Sequence, residues 1–210
     1  MAGQKNKSPY MMAIREKILD TAMREFAAKG IRAVRMDDIA QLLGISKRTL
    51  YEIYDNKEKL LFEGIKKYKA SKYEAFLKLN SESKNVMEMM LQIYRKKVEE
   101  FHETSPSFFA EIGKYPSVVK YLNEDRQLSH ERFISFLSRG VDEGYFRNDV
   151  NLELVSFMFN SIGDYVMTHE LYKNYTIEQL FNNLVLVSLR GLCTTEGVKL
   201  LDQYFPEESL

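Results

Sequence analysis

One cysteine, four prolines and ten glycines are spread over 210 residues, and each scarcity excludes something. Cys193 stands alone, so no intramolecular disulfide can form, as expected of a protein kept in a reducing compartment. So few Gly and Pro argue against a turn-rich β protein and against a low-complexity chain. No apolar run approaches the roughly 20 residues that span a bilayer. After Lys5 and Lys7 the only early apolar patch is residues 10–14, stopped by Arg15, so no secretory leader is expected. The expectation is a cytoplasmic protein with no membrane partner.

Catalytic signatures are missing as well. His102, His130 and His169 are each followed by Glu, but none has a second His four residues on, so no zincin-type metal motif is present. There is no phosphate-cradling glycine loop and no nucleophile elbow. An α-helical enzyme would need a nucleophile, an acid–base pair or a metal cluster, so no enzyme, catalytic residue, metal or cofactor is expected. Arg190, three residues before Cys193, could lower the thiol pKa. One arginine in an apolar stretch is thin ground for a redox sensor, and an inert thiol is expected.

The chain carries 30 basic and 30 acidic residues, and this neutrality hides an asymmetry. Residues 1–60 contain twelve Lys and Arg against eight Asp and Glu, net +4, while residues 61–210 contain eighteen against twenty-two, net −4. A basic end can gain counterion-release free energy on DNA while the acidic remainder discourages nonspecific wrapping. The runs Lys66-Lys67, Arg95-Lys96-Lys97 and Glu99-Glu100 lack any cap or turn beside them and read as solvated helix faces.

Long amphipathic runs dominate, and the fold class they imply is all-α. A polar, lysine-bearing tail at residues 1–9 precedes a helix over about residues 11–28 with Ile14, Ile18, Ala22 and Phe26 on one stripe, ended by Gly30. Residues 37–61 then carry the most information. Ile39, Ala40 and Leu43 repeat at helical spacing, Gly44 permits a tight turn, and Ser46 can cap a following helix. On that second helix Ser46, Leu50, Ile53 and Tyr54 share one face, and Lys47, Arg48, Thr49, Tyr51 and Glu52 the other. Two short helices joined at a glycine, with the second polar and basic on its outer side, form the pattern of a helix-turn-helix DNA reader. The outer face offers a guanidinium, an ammonium, a hydroxyl and a phenol to phosphates and base edges.

These residues resemble a family. Ile18-Leu19, Ala22, Phe26, Gly30, Asp38-Ile39-Ala40, Leu43-Gly44-Ile45-Ser46, Thr49-Leu50-Tyr51, Tyr54, Lys57-Glu58 and Leu60 stand at the spacings of the N-terminal domain of the TetR family of transcription regulators. The resemblance covers about the first third of the chain. It implies a DNA-binding set of Arg35, Ser46, Lys47, Arg48, Thr49, Tyr51, Glu52 and Lys57, with Lys57 opening helix four beside a phosphate. Three positions depart from the family pattern. Arg35 replaces the usual capping threonine and could add a phosphate contact, Glu52 replaces a common aromatic, and Ile53 replaces a common phosphate-contacting histidine; the last two would alter the operator.

The domain organisation expected is a tail at 1–9, a helix-turn-helix domain at 10–56, and a C-terminal ligand-binding and dimerisation domain at 57–210, joined by helix four from Lys57 towards Leu79. Polar breaks at 80–85, 104–107, 115–117 and 147–151 divide the remainder, with long runs at 117–143, 152–172 and 177–192. The last contains LVLVSL, apolar around most of its circumference, which requires cover on two sides. A partner chain covers one side most economically, and by resemblance the last two long helices form a four-helix dimer seam; the other reading is a central core helix in a monomer.

Numerous Tyr and Phe between 68 and 165 suit helical cores and, by resemblance, an apolar ligand cavity. Asn160, Ser161, Asp164 and Thr168 form a polar strip on an otherwise apolar helix. Such a strip is solvated, bonds across a dimer, or orients a ligand. On the third reading the pocket comprises Tyr68, Phe108, Phe136, Asn160, Ser161 and Asp164. The expected function is a homodimeric transcription regulator acting as a repressor, released from a two-fold symmetric double-stranded operator by an unidentified small-molecule effector. The alternative is a constitutive DNA-binding regulator without a ligand.

Overall fold

The computed structural model describes residues 9–124 and 126–205. Its order is α1 (Pro9–Lys29), α2 (Met36–Leu42), α3 (Lys47–Ile53), α4 (Lys57–Glu82), α5 (Val86–Glu103), α6 (Pro106–Ile112), α7 (Pro116–Glu124), α8 (Arg126–Asp142), α9 (Leu152–Thr168), α10 (Ile177–Leu180), α11 (Val187–Leu192) and α12 (Thr195–Tyr204). A π-helical segment, Phe181–Leu186, runs between α10 and α11. The fold is all-α; among the described residues the only β feature is one antiparallel bridge between Phe146 and Cys193. The tail expected at 1–9 lies outside the described residues except for Pro9, the first residue of α1.

The chain divides into two compact units. The first holds the described residues through Glu74 together with 103–123, and the second holds 75–102 and the described residues from 124 onward. In the first unit the apolar stripe of α1, Ile18, Ala22 and Phe26, is fully buried with Ile39, Leu50, Tyr54, Leu60 and Leu61. Gly30 ends α1 at a φ of +86°. It also allows close approach, since a Cβ there would stand 2.8 Å from Ser107 Cβ.

Helices α6 and α7 complete this unit: Val118 is buried in its core, and Phe108, Ile112, Tyr121 and Leu122 pack against it. Polar bonds hold them in place. Ser105 N–H donates to Ala27 O (2.7 Å), Arg32 N–H donates to a Glu111 carboxylate oxygen (2.7 Å), and Glu58 accepts from both the N–H and the hydroxyl of Ser117 (3.2 and 2.7 Å). The first compact unit therefore reaches beyond residue 56.

The second unit buries Val86, Met87 and Met89 of α5 with Phe136 and Leu137 of α8, Phe146, Leu189, Leu192 and Leu201. Asn151 starts α9 by accepting from the N–H groups of Glu153 and Leu154 (3.0 and 3.1 Å). Arg139 donates to Asn80 O (2.8 Å), Ser83 O (3.0 Å) and Glu143 Oε1 (2.6 Å), while Glu143 Oε2 accepts from Val86 N–H (2.6 Å). One ion pair thus satisfies backbone groups at the end of α4 and the start of α5. The run expected at 117–143 is helical over Pro116–Glu124 and Arg126–Asp142, and Asp125 between them lies outside the described residues. Helix α12 adds an element beyond the last expected run; Thr194 caps it, accepting from Gly197 N–H (3.1 Å).

Candidate nucleic-acid interface

Helix α2 starts without a hydroxyl cap. Arg35 holds the N-cap position in extended backbone, and the carboxylate of Asp38 accepts from Arg35 N–H (2.8 Å). This keeps one half of a capping box and leaves the Arg35 side chain exposed. The turn follows: Gly44 has a φ of +64°, and Ile45 N–H bonds back to Ala40 O (3.0 Å). Ser46 then caps α3, its Oγ accepting from Thr49 N–H (3.0 Å) and lying 2.8 Å from the Thr49 hydroxyl.

The α3 faces separate as their periodicity predicts. Leu50 is fully buried, Ile53 half-buried, and Tyr54 closes the helix from within the core. Lys47, Arg48, Tyr51 and Glu52 are exposed, and Thr49 is half-buried. Two of the cations are paired. Lys47 Nζ lies 2.5 Å from Asp37 Oδ2, and Arg48 Nε donates to Glu52 Oε1 (2.9 Å). These hydrogen bonds and their charges raise the pKa of both basic groups. Ion pairs so exposed contribute little to folding, which leaves their groups available to a polyanion.

Lys57, expected beside a phosphate, has its ammonium turned onto the loop between α1 and α2. It donates to Ile31 O (2.8 Å) and Val34 O (2.9 Å), with Arg32 O at 3.5 Å. Burial there lowers its pKa. In this arrangement Lys57 positions the loop that leads into α2.

The six residues expected around a ligand fall in different places. Tyr68 is exposed on α4, and Phe108 packs against the core of the first unit. Phe136 is buried in the second, its ring centroid 6.1 Å from Phe133 and 6.0 Å from Phe146. Asn160, Ser161 and Asp164 come together, all exposed, along an open groove of about 1010 Å³ between α8 and α9. There Arg126 pairs with Asp164 (3.4 Å) and the Ser161 hydroxyl donates to Phe157 O (2.8 Å). Leu154, Phe157, Met158, Tyr165 and Met167 are also exposed along α9.

The same groove holds one arrangement that sequence reading missed. His130 Nε2 donates to Glu153 (2.8 Å), and its Nδ1 lies 2.9 Å from the Ser156 hydroxyl. Ser156 is fully buried, so this hydroxyl cannot meet a substrate; the trio ties α8 to α9. Only the i, i+3 spacing of Glu153 and Ser156 hinted at it. Cys193 is also buried, and desolvation pushes its thiol up to about 11 against the opposing pull of Arg190, as fits an inert thiol. Arg190 itself is ion-paired with Asp202. Among the described residues no group of three His, Cys, Asp or Glu side chains could hold a metal ion, and no helix is long and apolar enough to cross a membrane.

Residues 18–63 match the model of the bacterial regulatory proteins of the tetR family. Over 204 residues, 94% of this chain and 98% of the other, the sequence is 24% identical to the HTH-type transcriptional repressor KstR2 of Mycobacterium tuberculosis. The solved structure of that ketosteroid transcriptional regulator aligns with a TM-score of 0.56 at 20% identity, covering 86% of this chain and 95% of that one. A TetR-family regulator from Marinobacter aquaeolei aligns with a TM-score of 0.70 at 18% identity, over 90% and 98% of the two chains. The family model falls on the residues that build the helix-turn-helix, so residues 18–63 carry the DNA-reading domain of the bacterial regulatory proteins of the tetR family, and the similarity to a repressor continues through the rest of the chain.

Proposed function

We propose that this protein is a cytoplasmic, homodimeric repressor that reads a two-fold symmetric operator with α3 and leaves it when a small molecule binds the C-terminal domain. The observation that carries the reading is the one-sided burial of α3: Leu50 is wholly enclosed while Lys47, Arg48, Tyr51 and Glu52 face out. A helix docked by one face and polar on the other can enter a major groove without unfolding anything. Arg48 and Tyr51 are assigned to base edges, Lys47 and Arg35 to phosphates, Ser46 and Thr49 to the helix start and its contacts. Lys57 contributes by holding the loop ahead of α2.

Dimerisation is assigned to α9 and the helix running from α10 through α11. Val187 is 63% exposed while Leu186 and Leu189 beside it are buried, so this helix has an apolar side its own unit leaves uncovered. The exposed Leu154, Phe157 and Tyr165 of α9 support the same face. A two-fold pair would hold two α3 helices about 34 Å apart, the spacing of successive major grooves. An effector acts by preferring a different spacing, and its effect is bounded by its differential affinity for the two states. The second unit contains ring clusters, Tyr94 with Phe181 and Phe205 among them, a chemistry suited to a largely apolar effector.

The test is selection of duplexes from a random pool by the full-length protein, followed by titration across salt. A palindromic site with half-sites about one helical turn apart is expected. Equal affinity for selected and random duplexes would overturn the reading.

A further inference from the structure

We infer that Glu52 determines operator specificity by accepting a hydrogen bond from the N4 amino group of a cytosine, with Arg48 donating to guanine, so that the two side chains read a G·C pair as one unit. This rests on the proposed reading of DNA by α3 and adds the base that it selects. Glu52 is the one acidic side chain among the exposed residues of α3. A carboxylate offers only acceptors, and near a duplex it is repelled by phosphates unless a donor meets it. The major groove presents two amino donors, adenine N6 and cytosine N4. Adenine sets the N7 lone pair beside its amino group and so opposes a carboxylate; cytosine has no acceptor there.

The Arg48–Glu52 pair carries the complementary groups. Arg48 spends its Nε on Glu52 Oε1 at 2.9 Å, a pairing that does not use the two Nη donors or the Oε2 acceptor. Donor, donor, acceptor is the complement of guanine N7, guanine O6 and cytosine N4, the order in which a G·C pair displays them. Both side chains are mostly solvent-exposed, at 88% and 58%, so the groups can meet a base edge without rearranging the core. Fixing the guanidinium against a neighbour before binding also reduces the rotamer freedom lost on the DNA.

The test compares the full-length protein with Glu52→Ala and Glu52→Gln on the site selected by the unaltered protein. Each base pair is changed in turn, and each cytosine is replaced by 2-pyrimidinone, which lacks the 4-amino group. At one position per half-site the unaltered protein should lose about tenfold or more in affinity, both for A·T and for the amino-less base. Glu52→Ala should lose the penalty for the amino-less base there and nowhere else, with its helical circular dichroism unchanged. Glu52→Gln, which adds a donor beside its acceptor, should shift preference at that position towards A·T. If Glu52→Ala instead tightens binding to every duplex alike and keeps the base preferences, Glu52 merely masks Arg48 and the inference falls. If the unaltered protein enriches no site at all, the failure belongs to the DNA-reading function itself.

Discussion

Lys57 Nζ donates to the carbonyl oxygen of Val34 across 2.9 Å, joining the first turn of α4 to a residue 23 positions earlier. With Ile31 O as second acceptor, the ammonium gathers the loop that feeds α2. A cation placed this way fixes the reading helices from behind. On the proposed reading of DNA by α3 it would add to affinity through their geometry, since its own charge is already spent on carbonyls.

Lys57→Met keeps the stem and removes the donors, leaving the acceptor carbonyls to water. Hydrogen bonds to a charged group at a half-buried site place the loss of stability at about 1–2 kcal/mol. Operator affinity should fall with it, while the slope of log affinity against log salt stays the same. Chemical denaturation and a salt titration measure the two effects. A slope reduced by about one unit would instead put the ammonium on a phosphate.

Asp37 holds Lys47 at 2.5 Å on the exposed side of α2 and α3. Asp37→Ala should free the ammonium and remove a negative charge from the surface proposed to meet DNA. Binding to all duplexes should strengthen, with a salt slope steeper by about one and base preferences unaltered. Weaker binding on every duplex would mean that the pair is needed to orient Lys47.

Much of this was legible in the sequence because it is local. The cap at Ser46, the turn at Gly44 and the buried Leu50 depend on residues within one or two turns of each other. The side-chain directions of Lys57 and Arg48 were not legible, because they depend on which acceptor lies nearby in space: three carbonyls for one, a carboxylate one turn on for the other. The assignment of α6 and α7 to the first unit is likewise non-local, resting on Glu111 with Arg32 and Ser117 with Glu58, pairs 79 and 59 residues apart. Helix α12 was within reach of the sequence, since Thr194 supplies a cap and Val198 and Leu201 a stripe. Periodicity put Asn160, Ser161 and Asp164 on one strip but could not say what faces it.

Val187 and Leu189 offer a way to separate the proposed dimerisation from folding. Val187→Glu places a charge on an exposed position of α11, so the isolated subunit should keep its helix content while sedimentation equilibrium reports a monomer. Leu189 is buried in the core of its own unit, and Leu189→Ala should cost about 2–5 kcal/mol of stability whatever the assembly. A Val187→Glu protein that remains dimeric at micromolar concentration would move the interface away from α11.

Ser117 and Glu58 give a pH test of how α7 is held on α4. The hydroxyl and N–H of Ser117 keep the Glu58 carboxyl below the usual glutamate range, the hydroxyl contributing most. A carboxyl whose pKa is depressed on folding adds stability above its unfolded value, and loses it as pH falls through the folded value. Ser117→Ala should therefore lower the melting temperature at pH 7, and the gap from the unaltered protein should narrow as pH drops below about 4. Glu58→Gln has no charge to lose at that position, so its own gap should close over the same acid range. Melting curves from pH 7 down to pH 3 decide the matter: a gap of constant size would show that Ser117 matters for packing alone and that the hydrogen-bonded carboxylate does not hold α7 in place.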